Sequence, residues 1–184
     1  ERERDPVPDE DAAEENDECN MPQDFIAHNV CSVAIAPTLG HAPVFTVEEA
    51  RRVHGDIPGG HCKNLFCKDE KGVLWLIVCL EDARVDLKNA PAVIGSKRLS
   101  FGKPDLLMQV LGVEPGSVTP FALINDTGVL VKVVLDAEMM QHRLLNFHPL
   151  RNDATTSMSS ADLLTFIRSC GHDPAILPVA EPPL

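Results

Sequence analysis

The chain has 184 residues, enough for one ordinary domain with a buried core and short extensions. Hydrophobic residues make up 44%, tyrosine is absent and aromatics are 4%, which excludes a stacking platform for long single strands. The formal charge of −12 is uneven: residues 1–20 hold ten acids against two arginines, −8, which leaves −4 for the rest. From Lys63 to Lys103 eight basic residues meet five acids, +3, a balance that suits a small anionic contact and not extensive duplex binding.

Residues 1–20 are acidic, poor in apolar residues and interrupted by Pro6 and Pro8, so a disordered tail is expected. The folded domain is expected over residues 21–174 and an irregular tail over 175–184, where prolines block helix and central strand. Thr46-Val47-Glu48-Glu49 is a capping box opening a helix to about Val53. Leu65–Lys68 and Val73–Leu80 read as strands around the turn Asp69–Gly72. Asn89 is the expected cap of a helix ending at Gly95, because Pro91 is tolerated only in a first turn. Pro104 opens a helix that stops before Gly112.

Phe121–Asn125 and Val129–Leu135 read as a second hairpin around Asp126-Thr127-Gly128. The latter strand is apolar on both faces except at Lys132, so it should be central. Asp136 caps a short helix. Leu145–Phe147 and Thr155–Met158 are expected strands, and Ser159-Ser160-Ala161-Asp162 opens the last helix, which stops at Gly171. Strand pairs interleaved with short helices imply an α+β domain.

Six cysteines, Cys19, Cys31, Cys62, Cys67, Cys79 and Cys170, form no repeated C-x-x-C pair. A domain of this size needs no staples, so reduced thiols in a cytoplasmic protein are expected. No run reaches transmembrane length and no signal peptide is visible. His61, Cys62 and Cys67 lack a fourth partner and paired spacing, so no metal site is expected. The lysine next to Cys62 favours thiolate there, a minor catalytic alternative.

Three motifs carry chemistry. Lys63 and Asn64 stand at the mouth of an apolar strand beside the turn Pro58-Gly59-Gly60-His61, where a cation and an amide can grip a phosphate or hydroxyl. A lysine there is more often merely solvated. Gly116-Ser117-Val118-Thr119-Pro120 is either a plain turn or a loop aiming backbone N–H groups at an anion or oxyanion. His148, within Asn146-Phe147-His148-Pro149, is either a satisfied structural histidine or part of a pocket wall. Asn152–Thr156 is a turn that can brace it.

These motifs occur in order with Val44–Ala50, Gly59–Phe66, Arg98–Phe101, Leu111–Phe121, Leu123–Asp126, Val134–Asp136 and Gly171–Pro174. The set resembles the YbaK/prolyl-tRNA synthetase-associated domain over residues 43–174, and within it the freestanding ProXp-ala or PrdX type. The resemblance implies a central mixed, mainly antiparallel, barrel-like sheet surrounded by short helices. It also implies a trans-editing deacylase that hydrolyses Ala-tRNA(Pro) to alanine and free tRNA. Lys63 then engages the aminoacyl acceptor end, Asn64 assists it, Gly116–Pro120 form the G-x-x-x-P loop, and His148 lines the pocket. No cofactor is implied. The implied partners are the tRNA acceptor end and prolyl-tRNA synthetase, with no membrane and no DNA. Two alternatives stay open: another misacylated tRNA such as Cys-tRNA(Pro), or a non-catalytic binding module on the same fold.

Overall fold

The computed structural model describes residues 38–40 and 57–181. The expected acidic tail and the helix over Thr46–Val53 lie outside them. The elements in chain order are β1 (Thr38–Gly40), β2 (Gly60–Asp69), β3 (Leu74–Leu80), α1 (Ala90–Ile94), β4 (Leu99–Phe101), α2 (Pro104–Leu111), a 3-10 helix (Pro120–Asn125), β5 (Val131–Asp136), a 3-10 turn (Met139–Gln141), β6 (Leu144–Phe147), β7 (Ala154–Ser159), α3 (Ser160–Ser169) and β8 (Ala175–Leu177). The strands form one mixed sheet in the order β1-β7-β6-β2-β3-β5-β8, with β4 also on β2. This is the expected mixed architecture with short helices.

The β2–β3 hairpin is the spine. Its turn closes because Asp69 Oδ1 accepts from the N–H groups of Lys71 and Val73, while Gly72 takes a φ of +87° that disfavours other residues. The apolar run of β3 is buried along six of its seven residues, as a strand covered on both faces must be. On one face Cys67, Trp75, Ile77 and Val134 pack with Ala90, Ile94, Leu99 and Val179. Alternation sends Leu76, Val78, Val133 and Leu135 to the other face.

Punctuation read from sequence holds at several helix ends. Ser159 Oγ accepts from the Asp162 N–H at 3.0 Å and donates to its carboxylate at 2.6 Å, a reciprocal cap for α3. Asp136 Oδ2 accepts from Glu138 and Met139, capping the short turn. Asn89 sits at the α1 cap position, but its side chain makes no cap bond; it donates to Asp86 instead.

Two expectations fail. Phe121–Asn125 is no strand: Pro120 has fixed φ and no N–H for a ladder, and Thr119 Oγ1 accepts from the Phe121 N–H, so the segment winds into a 3-10 helix. Its Phe121 ring meets Phe147 and Phe166 edge-on, pinning it to β6 and α3. The central strand β5 pairs instead with β3 and β8, both parallel. The second failure is the expected irregular tail from 175. Ala175–Leu177 form β8, a short edge strand between Pro174 and Pro178, where proline is tolerated.

Candidate functional site

The site begins where β2 changes partners. One edge of β2 pairs with β3 from Cys62 to Lys68. The other edge pairs with β6 at Gly60 and His61, and with β4 only from Cys67 to Asp69. Among the described residues, Cys62 to Phe66 therefore has no strand on that edge. The interval contains Lys63 and Asn64.

Glycines seat the entry to this interval. Gly59 has φ +113°, and a Cβ there would stand 2.8 Å from the Leu144 carbonyl oxygen. Asn146 Nδ2 donates to the Pro58 carbonyl at 3.2 Å, and Asn146 Oδ1 accepts from Ser157 Oγ at 2.6 Å. The asparagine of the Asn146–Pro149 motif thus locks the glycine turn onto β6 and β7, a role the sequence did not disclose.

Lys63 and Asn64 are neighbours on a strand, so their side chains leave opposite faces. Lys63 is half-buried, and its ammonium donates to the carbonyls of Glu81 (2.9 Å) and Ala83, just past β3. Asn64 is half-buried on the other face, where Nδ2 donates to the Val118 carbonyl at 2.9 Å. That bond brings the Gly116–Pro120 loop to β2. Asn64 Oδ1 is itself buried and accepts no hydrogen bond among the described residues. An amide acceptor left in that state costs about 1–3 kcal/mol, which a ligand donor would offset.

Within the loop, Gly116 has φ +93° with open space where a Cβ would stand, so backbone conformation rather than crowding calls for glycine. Ser117 N–H is bonded to the Glu114 carbonyl, so this donor serves the turn rather than an incoming anion. Thr119 and Pro120 are buried. His148 lies just beyond β6, two residues past the His61–Asn146 pair, the same step that separates Lys63 from His61. Its Nδ1 is 3.2 Å from the Ala154 carbonyl oxygen, which only accepts, so the neutral ring carries its proton on Nδ1. Ala154 belongs to the 152–156 segment expected to brace the ring.

The cysteine alternative is reversed. Burial pushes the Cys62 thiol far above its ordinary value, and Lys63 is not among the groups that shift it. Lys63 lies nearer Cys79, whose thiol burial nonetheless raises to about 11. Cys62, Cys67, Cys79 and Cys170 are all free thiols. Among the described residues, no three His, Cys, Asp or Glu side chains gather to hold a metal ion, and no helix is long and apolar enough to cross a membrane.

A basic surface lies further along β2. Lys68, Lys71, Lys97, Arg98 and Lys103 are exposed around the β2–β3 turn and β4, with Phe101 65% exposed among them. Asp69 in their midst is buried and directs its carboxylate to the N–H groups of Lys71, Val73 and Lys97.

Comparison with known proteins gives this arrangement its class. Residues 41–166 match the aminoacyl-tRNA editing domain family, and the chain belongs to that family. It is 40% identical over 142 residues to the bovine (Bos taurus) prolyl-tRNA synthetase associated domain-containing protein 1, covering 74% of this chain and 82% of that one. It is 35% identical over 133 residues to the prolyl-tRNA editing protein ProX of Acetoanaerobium sticklandii, covering 72% and 81%. Among solved structures, the hypothetical protein APE2540 superposes with a TM-score of 0.65 at 19% identity, over 86% of this chain and 97% of that one. A candidate trans-editing enzyme for prolyl tRNA synthetase superposes at 0.59 with 22% identity, over 80% and 87%. These two likenesses concern the fold.

Proposed function

We propose that this protein is a trans-editing deacylase that hydrolyses the ester of Ala-tRNA(Pro), releasing alanine and free tRNA in the cytoplasm. The observation that carries the reading is the buried, unpartnered Asn64 Oδ1 beside the Gly116–Pro120 loop, one residue from the anchored Lys63. An acceptor held without a donor is suited to a ligand that brings one, and the terminal ribose hydroxyl or the aminoacyl ammonium does so.

An aminoacyl ester is already activated, so a positioned water and charge stabilisation suffice without a protein nucleophile. This agrees with the Cys62 thiol, where desolvation disfavours the thiolate. The Lys63 ammonium has three donors; among the described residues two go to Glu81 and Ala83, and on this reading the third meets the oxygen on which charge develops. On this reading His148 lines a pocket that admits alanine and rejects proline by size, a second sieve for an error that the synthetase cannot avoid by binding alone. The exposed Lys68, Lys71, Lys97, Arg98 and Lys103 supply contacts for the phosphates behind the acceptor end. The family's association with prolyl-tRNA synthetase, carried in its relatives' names, supports that enzyme as the source of the substrate.

The test is a panel of Ala-tRNA(Pro), Cys-tRNA(Pro) and Pro-tRNA(Pro), with release of the amino acid measured over time. Rapid loss of alanine with prolyl ester spared is expected. Preferential loss of cysteine would move the substrate assignment to the Cys-tRNA(Pro) branch, and inertness to all three would leave a binding module.

A further inference from the structure

Lys63 is held not by its own strand but by the turn after β3, through the carbonyls of Glu81 and Ala83. What holds that turn comes from the far end of the chain. Arg84 and Glu181 form an antiparallel bridge, Arg84 N–H to the Glu181 carbonyl at 3.0 Å and Glu181 N–H to the Arg84 carbonyl at 2.8 Å. Immediately before it, the N–H groups of Val179 and Ala180 both donate to Asp136 Oδ1, at 3.1 and 3.0 Å. The Val179 side chain is 6% exposed and packs in the cluster with Trp75, Ile77 and Val134. From the other side the turn is fixed by Glu81 N–H bonding the His61 carbonyl at 2.8 Å. The turn that grips the ammonium is thus clamped between β2 and a segment beyond the family match, which ends at residue 166.

We propose that Pro178 to Glu181 is a positioning strap for Lys63: by clamping the turn from Glu81 to Arg84, it fixes the two carbonyls that orient the lysine ammonium. The catalytic meaning of that orientation rests on the deacylase reading; the orientation itself does not. Two anchors act in series. Asp136, at the end of β5, sets the height of the strap on the sheet, and the Arg84–Glu181 bridge sets its distance from the turn. Both use backbone donors, so the exposed Glu181 side chain is dispensable while its N–H is not.

That asymmetry gives the test. Glu181→Pro deletes the donor to the Arg84 carbonyl. Glu181→Ala keeps it, and Val179→Ala loosens the strap by a separate route. Each folded variant, checked by its melting curve, is treated briefly with an N-hydroxysuccinimide ester. Acylation of Lys63 is then measured by mass spectrometry against Lys132, an exposed lysine on β5. Glu181→Pro and Val179→Ala should raise the Lys63-to-Lys132 ratio about fivefold, the factor that one lost hydrogen bond commands. They should also lower kcat on Ala-tRNA(Pro) while KM stays within about twofold, as expected when positioning and not binding is lost. Glu181→Ala should match the parent in both. An unchanged acylation ratio in folded Glu181→Pro or Val179→Ala would overturn the strap. A parent inert toward every tRNA would instead sink the deacylase reading, and the acylation ratio would still decide the strap.

Discussion

Lys63 and Asn64 show how two adjacent residues on one strand find partners on opposite faces. Alternation along β2 sends the ammonium toward the turn after β3 and the amide toward the Gly116–Pro120 loop. Lys63→Ala should abolish release of alanine from Ala-tRNA(Pro), because it removes the ammonium proposed to meet the developing charge, and turnover persisting in that variant would remove the lysine from the mechanism. Asn64→Ala removes both the tie to Val118 and the unpartnered Oδ1. Its kcat/KM should fall by about tenfold or more, corresponding to loss of one or two polar contacts of about 1–3 kcal/mol. Its melting temperature should change little, since an orphaned buried acceptor disappears along with the bond. A large loss of stability at unchanged turnover would make Asn64 purely structural.

At the scale of elements, close approaches decide which strands can meet. Gly102 lies where β4 leaves β2, its N–H bonded to the Phe66 carbonyl at 2.8 Å. A Cβ there would stand 2.3 Å from the Phe66 ring, which is buried at 5% exposure and has nowhere to turn. Gly102→Ala should therefore destabilise the fold by about 1–3 kcal/mol, read in a denaturant titration. Val129, exposed at φ +50°, is a β-branched residue in the left-handed region, and it is braced by Asp126, which accepts from the N–H groups of Leu130 and Val131. The buried His172 completes this corner: its Nδ1 lies 3.0 Å from the Val131 carbonyl oxygen, and its Nε2 lies 3.7 Å from Asp126 Oδ2. Nothing in the local pattern of residues 126–131 announced that a histidine 41 residues beyond Val131 would hold it.

For the whole molecule, acid sensitivity follows from Asp69. Burial alone would raise its carboxyl, but the N–H groups of Val73, Lys97 and Lys71 outweigh it and hold the carboxyl below its ordinary value. A carboxyl depressed by folding contributes stability above its unfolded pKa of about 3.9, and that contribution is lost as pH falls through the folded value. Unfolding free energy should therefore decline below about pH 4, and Asp69→Asn should flatten that part of the acid limb while lowering stability at pH 7. An identical acid limb in the variant would assign it to other carboxylates.

The amino-acid sequence by itself determined whatever is local. The apolar run of Leu74–Leu80, the reciprocal Ser159–Asp162 cap and the proline and glycine limits of Pro104–Gly112 depend on neighbours within a few residues, and they formed as read. The ordered motifs likewise carried the family. Only the tertiary structure decided that β5 runs parallel beside β3, that Phe121–Asn125 winds into a 3-10 helix and that the three residues after Pro174 become a strand. It alone decided that Lys63 rests on the carbonyls of Glu81 and Ala83 and that Asn64 reaches Val118. The physical reason is that backbone donors and acceptors are the same at every residue. A sequence can say which side chains seek partners, but which carbonyl each one finds is fixed only when distant strands pack.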